Sequence, residues 1–420
     1  MFITPINIMF AGQYCIVRVI MYIHGVAELP LHNGHVPPHL LELMKRLGRA
    51  IAMYIVDVFG SIELVKRLSD PLWFQAFNNV IGMDWDSSGS TTVVLYVLKS
   101  FANIDTFGDI GLAVVGGKGV DARNCVKEIE YLDRFDLDVD YLRYVSRLSA
   151  KIDSVALQDG YTLYIHSLVL SREGAWTVIQ QGMDVSKRMA RRYHIHANNI
   201  SSDINPHSGI ACNMKSNVIN LMDRESYSTK KLILDLLDEN PKKILNYIAT
   251  VNRLLRKDAS LEQWTSNRST DIEFSGESKK VDYLKNVNPI LYRPITNIKR
   301  IEDVLNHVVK TFTENFDSLL LHVGPEFIRA LVLVADLIYG EVPSFRDPVT
   351  HAIDPFAYSF AHGGKDGIPF PVKFDIMRNT IQFLEDAINS SKLDGKLKRK
   401  ALENLYHYWR KIERATLNKD

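Results

Sequence analysis

Hydrophobic positions divide the chain into a first half with helical and strand-like periodicity and a second half with helical periodicity alone. Apolar residues recur every three or four positions from residue 40 to residue 59 and stop at Gly60, which predicts a helix packed on a core. The apolar run 111–117 ends in glycines and predicts a buried strand. Two β-branched and aromatic runs, 161–170 and 175–181, flank a glycine-containing turn and predict a hairpin.

The region after this hairpin changes character. Residues 183–200 carry several arginines and predict a short helix with a basic face. Beyond about residue 225 the apolar spacing predicts helices within 230–255, 301–323 and 327–340, and the polar stretch 264–280 is typical of a connector.

These patterns predict a mixed α/β N-terminal half and an all-α C-terminal half. We place a catalytic α/β domain at 21–222 and a helical DNA-binding domain at 223–420, with residues 1–20 as an N-terminal extension.

Composition narrows the class of protein. The chain has 420 residues, of which 46% are hydrophobic and 24% charged, as expected for folded protein of two or three domains. Fifty basic against forty-nine acidic side chains give a net charge of +1, so any surface for nucleic acid must be local. Three widely spaced cysteines favour a reduced, cytoplasmic protein. The apolar N-terminus lacks a basic signal region and is interrupted by Arg18, so we expect no membrane partner.

A dense group of polar residues adjoins the predicted hairpin. Asp153 and Asp159 precede it, His166 lies on its first strand and Gln181 ends its second. Carboxylates with imidazole are ligands for Mg²⁺ or Mn²⁺, which assist phosphodiester cleavage. We therefore expect Asp153, Asp159 and His166 to hold the metal, Gln181 to assist, and Lys151 to stabilise transition-state charge or orient water. Helix capping and a strand-face histidine explain the same residues without chemistry.

Other segments are candidates for contact with DNA. Lys118 lies in the loop Gly-Gly-Lys-Gly, whose backbone amides suit a phosphate. Basic and aromatic residues that suit a phosphate backbone and a stacked base follow one another at Arg191, Arg192, Tyr193 and His194. A glycine-rich loop carries His362 and Lys365. A solvated helix face and a plain surface turn are the competing interpretations.

Residues 319–340 resemble the helix-hairpin-helix element, in which backbone amides meet a DNA phosphate. Gly324, Pro325 and Arg329 match that pattern, and the spacing from Gly340 to Asp347 resembles the one found after this element in base-excision glycosylases. No lysine occupies the hairpin exit, so we carry over DNA anchoring and leave out base-excision chemistry. A simple helical corner is the alternative.

Eight ordered motifs between Met21 and about residue 390 are similar to an archaeal and thermophile family known as domain of unknown function 763. They are H-G-x-A-E-L-P-L-H-x-G, D-P-x-W-F-Q-A-F, D-W-x-S-S-G-x-T-T, V-G-G-K-G, S-A-K-x-D-x-x-x-x-Q-D-G-Y-x-L-Y-x-H, Q-Q-G-M, A-R-R-Y-H and F-A-H-G-G-K-D-G-x-P-x-P-V. The resemblance implies a DNA-processing role, with metal-dependent cleavage of single-stranded or branched DNA.

The leading hypothesis is a Mg²⁺- or Mn²⁺-dependent DNA endonuclease for single-stranded or branched DNA in repair or recombination. A non-catalytic DNA-binding repair accessory protein is the main alternative. A nucleotide-binding enzyme and a DNA glycosylase-like protein are weaker ones, and a homodimer remains open.

Overall fold

The structure is a computed structural model of the chain. It describes residues 36, 38–81, 88–197, 200–212, 215–256, 277–311 and 315–350, together with parts of 382–406. The N-terminal extension 1–20, residues 264–276 of the polar connector, and the two predicted DNA contacts His362 and Lys365 lie outside the described residues.

A five-stranded sheet, in which each strand is antiparallel to its neighbours, forms the centre of the fold. In spatial order its strands are β1 (Leu112–Lys118), β3 (Thr162–Ser171), β4 (Trp176–Asp184), β5 (Met189–Ile195) and β6 (His207–Ala211). Two short strands, β2 (Leu157–Gln158) and β7 (Ile219–Asn220), form a separate pair. The predicted buried strand is β1 and the predicted hairpin is β3 with β4, so both predictions are confirmed.

One face of the sheet is covered by the first four helices. They are α1 (Pro38–Phe59), α2 (Ser61–Leu68), α3 (Pro71–Val80) and α4 (Ser88–Lys99). Their apolar side chains share a core with Val114, Val169 and Ile179 of the sheet. Alternate residues of a strand point to opposite faces, so these three positions define the face toward the first helices. Helix α1 ends before Gly60, as its periodicity predicts.

The helices that follow α4 in the described part of the chain belong to the core on the other face. They are α5 (Phe107–Ile110), α6 (Val120–Glu130), α7 (Val139–Lys151), α8 (Tyr227–Leu237), α9 (Pro241–Leu255), α10 (Glu277–Val287), α11 (Ile298–Thr311), α12 (Phe316–His322) and α13 (Pro325–Tyr339). Of these, α6 and α7 contact the sheet directly. A single hydrophobic cluster contains Val178 of β4, Met222 and Leu331 of α13. Residues on both sides of the predicted boundary at 222 therefore pack into one core.

The mixed first half and helical second half are confirmed, but the helix-hairpin-helix motif is not shown. Helices α12 and α13 are joined by Val323 and Gly324. Arg329 is buried, and its guanidinium donates to the backbone carbonyls of Leu291, Arg293 and Pro294. These hydrogen bonds hold the loop between α10 and α11 in place, and the side chain does not face solvent.

The prediction of a basic helix at 183–200 is wrong, because most of this segment forms the end of β4, a turn and strand β5. Strand β5 pairs with β4 on one side and with β6 on the other. Arg191 and Tyr193 point to one face of the sheet, and Arg192 and His194 point to the other. All four side chains are buried.

Candidate functional site

A π-helical turn brings a carboxylate into the centre of the protein. Helix α7 begins at the cap Asp138, whose side chain accepts from the Tyr141 amide, and continues at its C-terminal end into the π-helical turn Ile152–Ala156. This turn places the side chain of Asp153 under the sheet, where it is fully buried. Single π-turns occur frequently at functional sites, so Asp153 is the starting point for the candidate site.

Asp153 belongs to a hydrogen-bonded series of five side chains, which we call the Asp153 relay: Ser146, His166, Gln180, Asp153 and His207. Oδ1 of Asp153 lies 2.6 Å from Nε2 of His207, and Gln180 Nε2 donates to Oδ2 at 2.5 Å. Gln180 Oε1 lies 2.8 Å from Nδ1 of His166, whose Nε2 lies 2.8 Å from Ser146 Oγ. Burial lowers the pKa of His166, against the opposing effects of Gln180 and Asp153, so the neutral imidazole is favoured.

The second predicted carboxylate, Asp159, lies in a neighbouring buried ion cluster. Its Oδ2 accepts from Arg191 Nη1 at 2.9 Å and from the Tyr193 hydroxyl at 2.7 Å. Arg191 also donates to both carboxylate oxygens of Asp347, at 3.2 and 2.8 Å, and lies over the ring of Tyr161. Burial raises the pKa of Asp159, and the charge of Arg191 opposes that shift. Arg191 thus balances two carboxylates inside the core.

A third polar group lies on the opposite face of the sheet. Gln181 Oε1 accepts from Thr91 Oγ1 at 2.5 Å, and its amide nitrogen donates to the Ser88 carbonyl at 2.8 Å and to the Tyr164 hydroxyl. Arg192 donates on this face to Gln75 Oε1 at 3.3 Å. Two consecutive glutamines of β4 therefore serve two separate polar groups, one on each face of the sheet.

The predicted catalytic residues are only partly brought together. Asp153 and His166 are joined through Gln180, whereas Asp159 faces Arg191 and Gln181 lies on the other face. Each carboxylate oxygen of Asp153 and Asp159 has a hydrogen-bond partner within the protein. The same is true of both ring nitrogens of His166. In the described part of the chain no group of three or more His, Cys, Asp or Glu residues is arranged to hold a metal. The predicted set Asp153, Asp159 and His166 therefore does not fit Mg²⁺ or Mn²⁺ in this arrangement.

The side chain of Lys151 contacts the connection between α12 and α13. Its Nζ donates to the Val323 carbonyl at 2.5 Å, and burial lowers the pKa of this half-buried lysine. Gln158 Nε2 donates to the Pro325 carbonyl at 3.0 Å. These two residues flank the π-helical turn, and both hold the connection between α12 and α13. The geometry gives Lys151 a positioning contact rather than a contact with the candidate site.

Solvent exposure separates the predicted DNA contacts into two groups. Arg191, Arg192, Tyr193 and His194 are buried in β5, and Arg329 is buried in α13. Each of them makes polar contacts with buried neighbours, so these side chains do not form a surface for DNA. Lys118 and Pro325 are exposed, and Gly324 is partly exposed.

Lys118 belongs to a group of exposed cations at one end of the sheet. We call this group the basic end: Lys118 at the end of β1, Lys187 and Arg188 in the turn between β4 and β5, and Lys215 after β6. Lys118 Nζ lies 5.8 Å from the ring centre of Tyr164, and Lys187 Nζ lies 5.9 Å from that of Tyr161. Two carboxylates, Asp184 and Asp121, lie nearby, and Asp184 pairs with Lys187 at 3.1 Å. The basic end retains a positive balance.

The sequence analysis missed two partners of the site, Ser146 and His207, and it named Asp347 only as part of a glycosylase-like spacing and not as a partner of Arg191. Ser146 is one of two serines in an amphipathic helix, and His207 begins a short edge strand without a motif of its own. Asp347 follows α13, 156 positions after Arg191. None of these contacts has a local signal in the sequence, because only the tertiary fold places the three side chains beside their partners.

Comparison with known proteins adds a family and nothing more specific. The described helices include none that is both long and apolar enough to span a membrane. Neither a curated protein nor a solved structure gives a significant match to the chain. The family described as "Protein of unknown function (DUF763)" matches residues 25–372, which is most of the chain. This protein therefore belongs to the DUF763 family, as its ordered motifs predict.

Proposed function

We propose that this protein binds single-stranded or branched DNA through the basic end of the sheet. The observation that supports this most directly is the exposure of four cations at one end of the sheet, two of them beside tyrosine rings. Cations contact phosphates, and the partly exposed ring of Tyr164 at the same end of the sheet provides a surface for an unstacked base. An overall charge of +1 is compatible with this, since the positive charge is local.

Metal-dependent endonuclease activity on the same DNA is the second candidate. The observation that favours it is Asp153, a buried carboxylate in a π-helical turn between two histidine-containing branches of the relay. Because the predicted ligand set does not fit Mg²⁺ or Mn²⁺, we assign no metal ligands and no catalytic step. A non-catalytic repair accessory protein needs only the first function.

Binding is tested by fluorescence anisotropy of the full chain with single-stranded, duplex and four-way-junction DNA between about 50 and 200 mM salt. The variant Lys118→Ala/Arg188→Ala is compared with Lys242→Ala, which removes an exposed cation from α9. The slope of log affinity against log salt is expected to fall by about one for each phosphate contact that the substitutions remove. The control keeps the original slope.

Equal slopes for the two variants, or no salt-dependent binding to any of the three DNAs, would refute the proposed interface. Protection from thermal unfolding by a nucleotide and not by DNA would favour a nucleotide-binding enzyme instead. Cleavage is followed separately with Mn²⁺ and with EDTA, in the wild type and in Asp153→Asn. Binding without metal-dependent cleavage removes the endonuclease and leaves the DNA-binding function.

A further inference from the structure

The hydrogen bonds of the Asp153 relay have a defined direction. The Gln180 amide nitrogen donates to Asp153 Oδ2 and to the Ser149 carbonyl, at 2.5 and 3.1 Å. Both of these partners are acceptors, which fixes the orientation of the amide and leaves Gln180 Oε1 facing His166. Nδ1 of His166 must therefore carry a proton, because it faces an acceptor.

This direction determines the state of the other imidazole nitrogen. A neutral imidazole with its proton on Nδ1 has a lone pair on Nε2. Burial favours the neutral form of His166 by lowering its pKa. The hydroxyl of Ser146, 2.8 Å from Nε2, then donates to that lone pair. A serine hydroxyl is thus hydrogen-bonded to a histidine whose other nitrogen is held by an amide oxygen.

We propose that Ser146 is a nucleophile, with His166 as its general base and with Gln180 and Asp153 as positioning residues. A nucleophile, a base and an orienting group, each within hydrogen-bonding distance of the next, define the serine-hydrolase arrangement independently of fold. Asp153 acts through Gln180. Its carboxylate accepts from the Gln180 side-chain nitrogen, and the Gln180 side-chain oxygen accepts from the imidazole of His166. This activity is independent of DNA binding.

The reaction is acyl transfer from a small ester. Ser146 Oγ forms a bond to the carbonyl carbon while its proton passes to Nε2 of His166, and that proton then leaves with the departing alcohol. Water hydrolyses the acyl-serine in a second step, which releases the acid and restores the hydroxyl. Ser146 is 2% exposed and His166 8% exposed, so a polymer does not reach the hydroxyl in this arrangement.

Helix α7 offers a matched control for this serine. Ser149 lies on the same helix and is equally buried, but within the described residues its Oγ has no hydrogen-bond partner. A small fluorophosphonate probe reacts with an activated serine by forming a phosphorus–oxygen bond and expelling fluoride. The full-length wild type, Ser146→Ala, Ser149→Ala and His166→Asn are incubated with this probe, and the modified residue is identified by peptide mass spectrometry.

Labelling is expected on Ser146 in the wild type and in Ser149→Ala. The rate is expected to fall by about 100-fold or more in His166→Asn, as for the loss of a general base. No adduct on Ser146 of the folded wild type, or adducts on other residues alone, would overturn the proposal. Equal rates in wild type and His166→Asn would also overturn it, because Ser146 would then react without the relay. The wild-type adduct decides the outcome even if a variant fails to fold, and DNA affinity is measured independently of it.

Discussion

Replacing Arg191 by methionine tests whether the buried ion cluster holds the sheet to the C-terminal segment. Arg191 is fully buried, and its guanidinium bridges Asp159 and Asp347, which come from distant parts of the chain. Methionine keeps much of the side-chain volume and removes the charge. Two buried carboxylates would then face each other without the cation that lies between them.

Removing one partner of a buried ion pair costs about 3–5 kcal/mol, because the remaining charge stays desolvated. We expect the free energy of unfolding of Arg191→Met to fall by about that amount at pH 7. The deficit should shrink as the pH falls. Loss of Arg191 removes the charge that opposes the raised pKa of Asp159, so the folded variant takes up protons more readily than the unfolded chain.

Arg346 is the matched control, because it too contacts two carboxylates, Asp223 at 3.8 Å and Glu225 at 2.5 Å. Its side chain is 67% exposed, so Arg346→Met should cost no more than about 1 kcal/mol. Urea unfolding at pH 7 and pH 5 measures both variants. Similar losses for the two arginines, or a deficit in Arg191→Met that does not depend on pH, would refute the reasoning.

Three further changes test the site and its surroundings. Because burial lowers the pKa of His166, the stability that depends on its neutral form is complete above about pH 6.5 and is lost as the pH falls toward the folded-state pKa. In that range the unfolded chain gains a proton before the folded protein does. Urea unfolding from pH 7.5 to pH 5 should therefore show a shallower fall in stability for His166→Asn than for the wild type. Gln180→Leu leaves the relay partners of Gln180 unsatisfied and should cost about 3 kcal/mol in the same assay, and a loss below about 1 kcal/mol would contradict the bridging role. Gly116 and Gly174 have nearly equal φ values of +82° and +83°, but an added Cβ would lie 2.3 Å from the His166 carbonyl oxygen only at Gly116. Gly116→Ala should therefore destabilise the fold more than Gly174→Ala, by about 1–3 kcal/mol, and equal shifts of the thermal midpoint would exclude this clash.

Elements with a local periodicity were predictable from the sequence. The hairpin of β3 and β4, the strand β1 and the long helix α1 each have an uninterrupted apolar pattern that ends at a glycine or a turn. Such patterns depend on neighbours within a few positions, so the sequence alone contains them. The same holds for α13, which ends at Gly340 with φ +78°.

The burial of Arg191 and Arg192 was not predictable in this way. Charged residues are almost never fully buried unless they are paired, so two adjacent arginines favour a solvated helix face in any local analysis. Their burial depends on partners such as Asp347 and Gln75, which lie 156 and 117 positions away along the chain. Because of these long-range partners, the segment forms an interior strand of the sheet and not the basic helix that its local pattern predicts.

The sequence predicted some residues of the candidate site but not how their side chains are arranged. Asp153 and His166 were recognised as polar residues next to a hairpin, and both belong to the relay. Their arrangement depends on the π-helical turn, which ends α7 and carries Asp153, and on the extended backbone that begins at Leu157 and leads to Asp159. Asp159 consequently faces Arg191, and Asp153 faces His207 from the edge strand.

The adjacent glutamines of β4 have a consequence for how the chain finds its strand pairing. A shift of β4 by one residue exchanges the two faces of the strand. In one direction Gln181 would replace Gln180 and Gly182 would replace Gln181, and in the other Ile179 would take the place of Gln180. Either error removes one glutamine and leaves buried polar groups unsatisfied on one face of the sheet. The glutamine pair therefore makes a shifted register less stable than the observed one, at a central strand where apolar side chains on both faces would discriminate less.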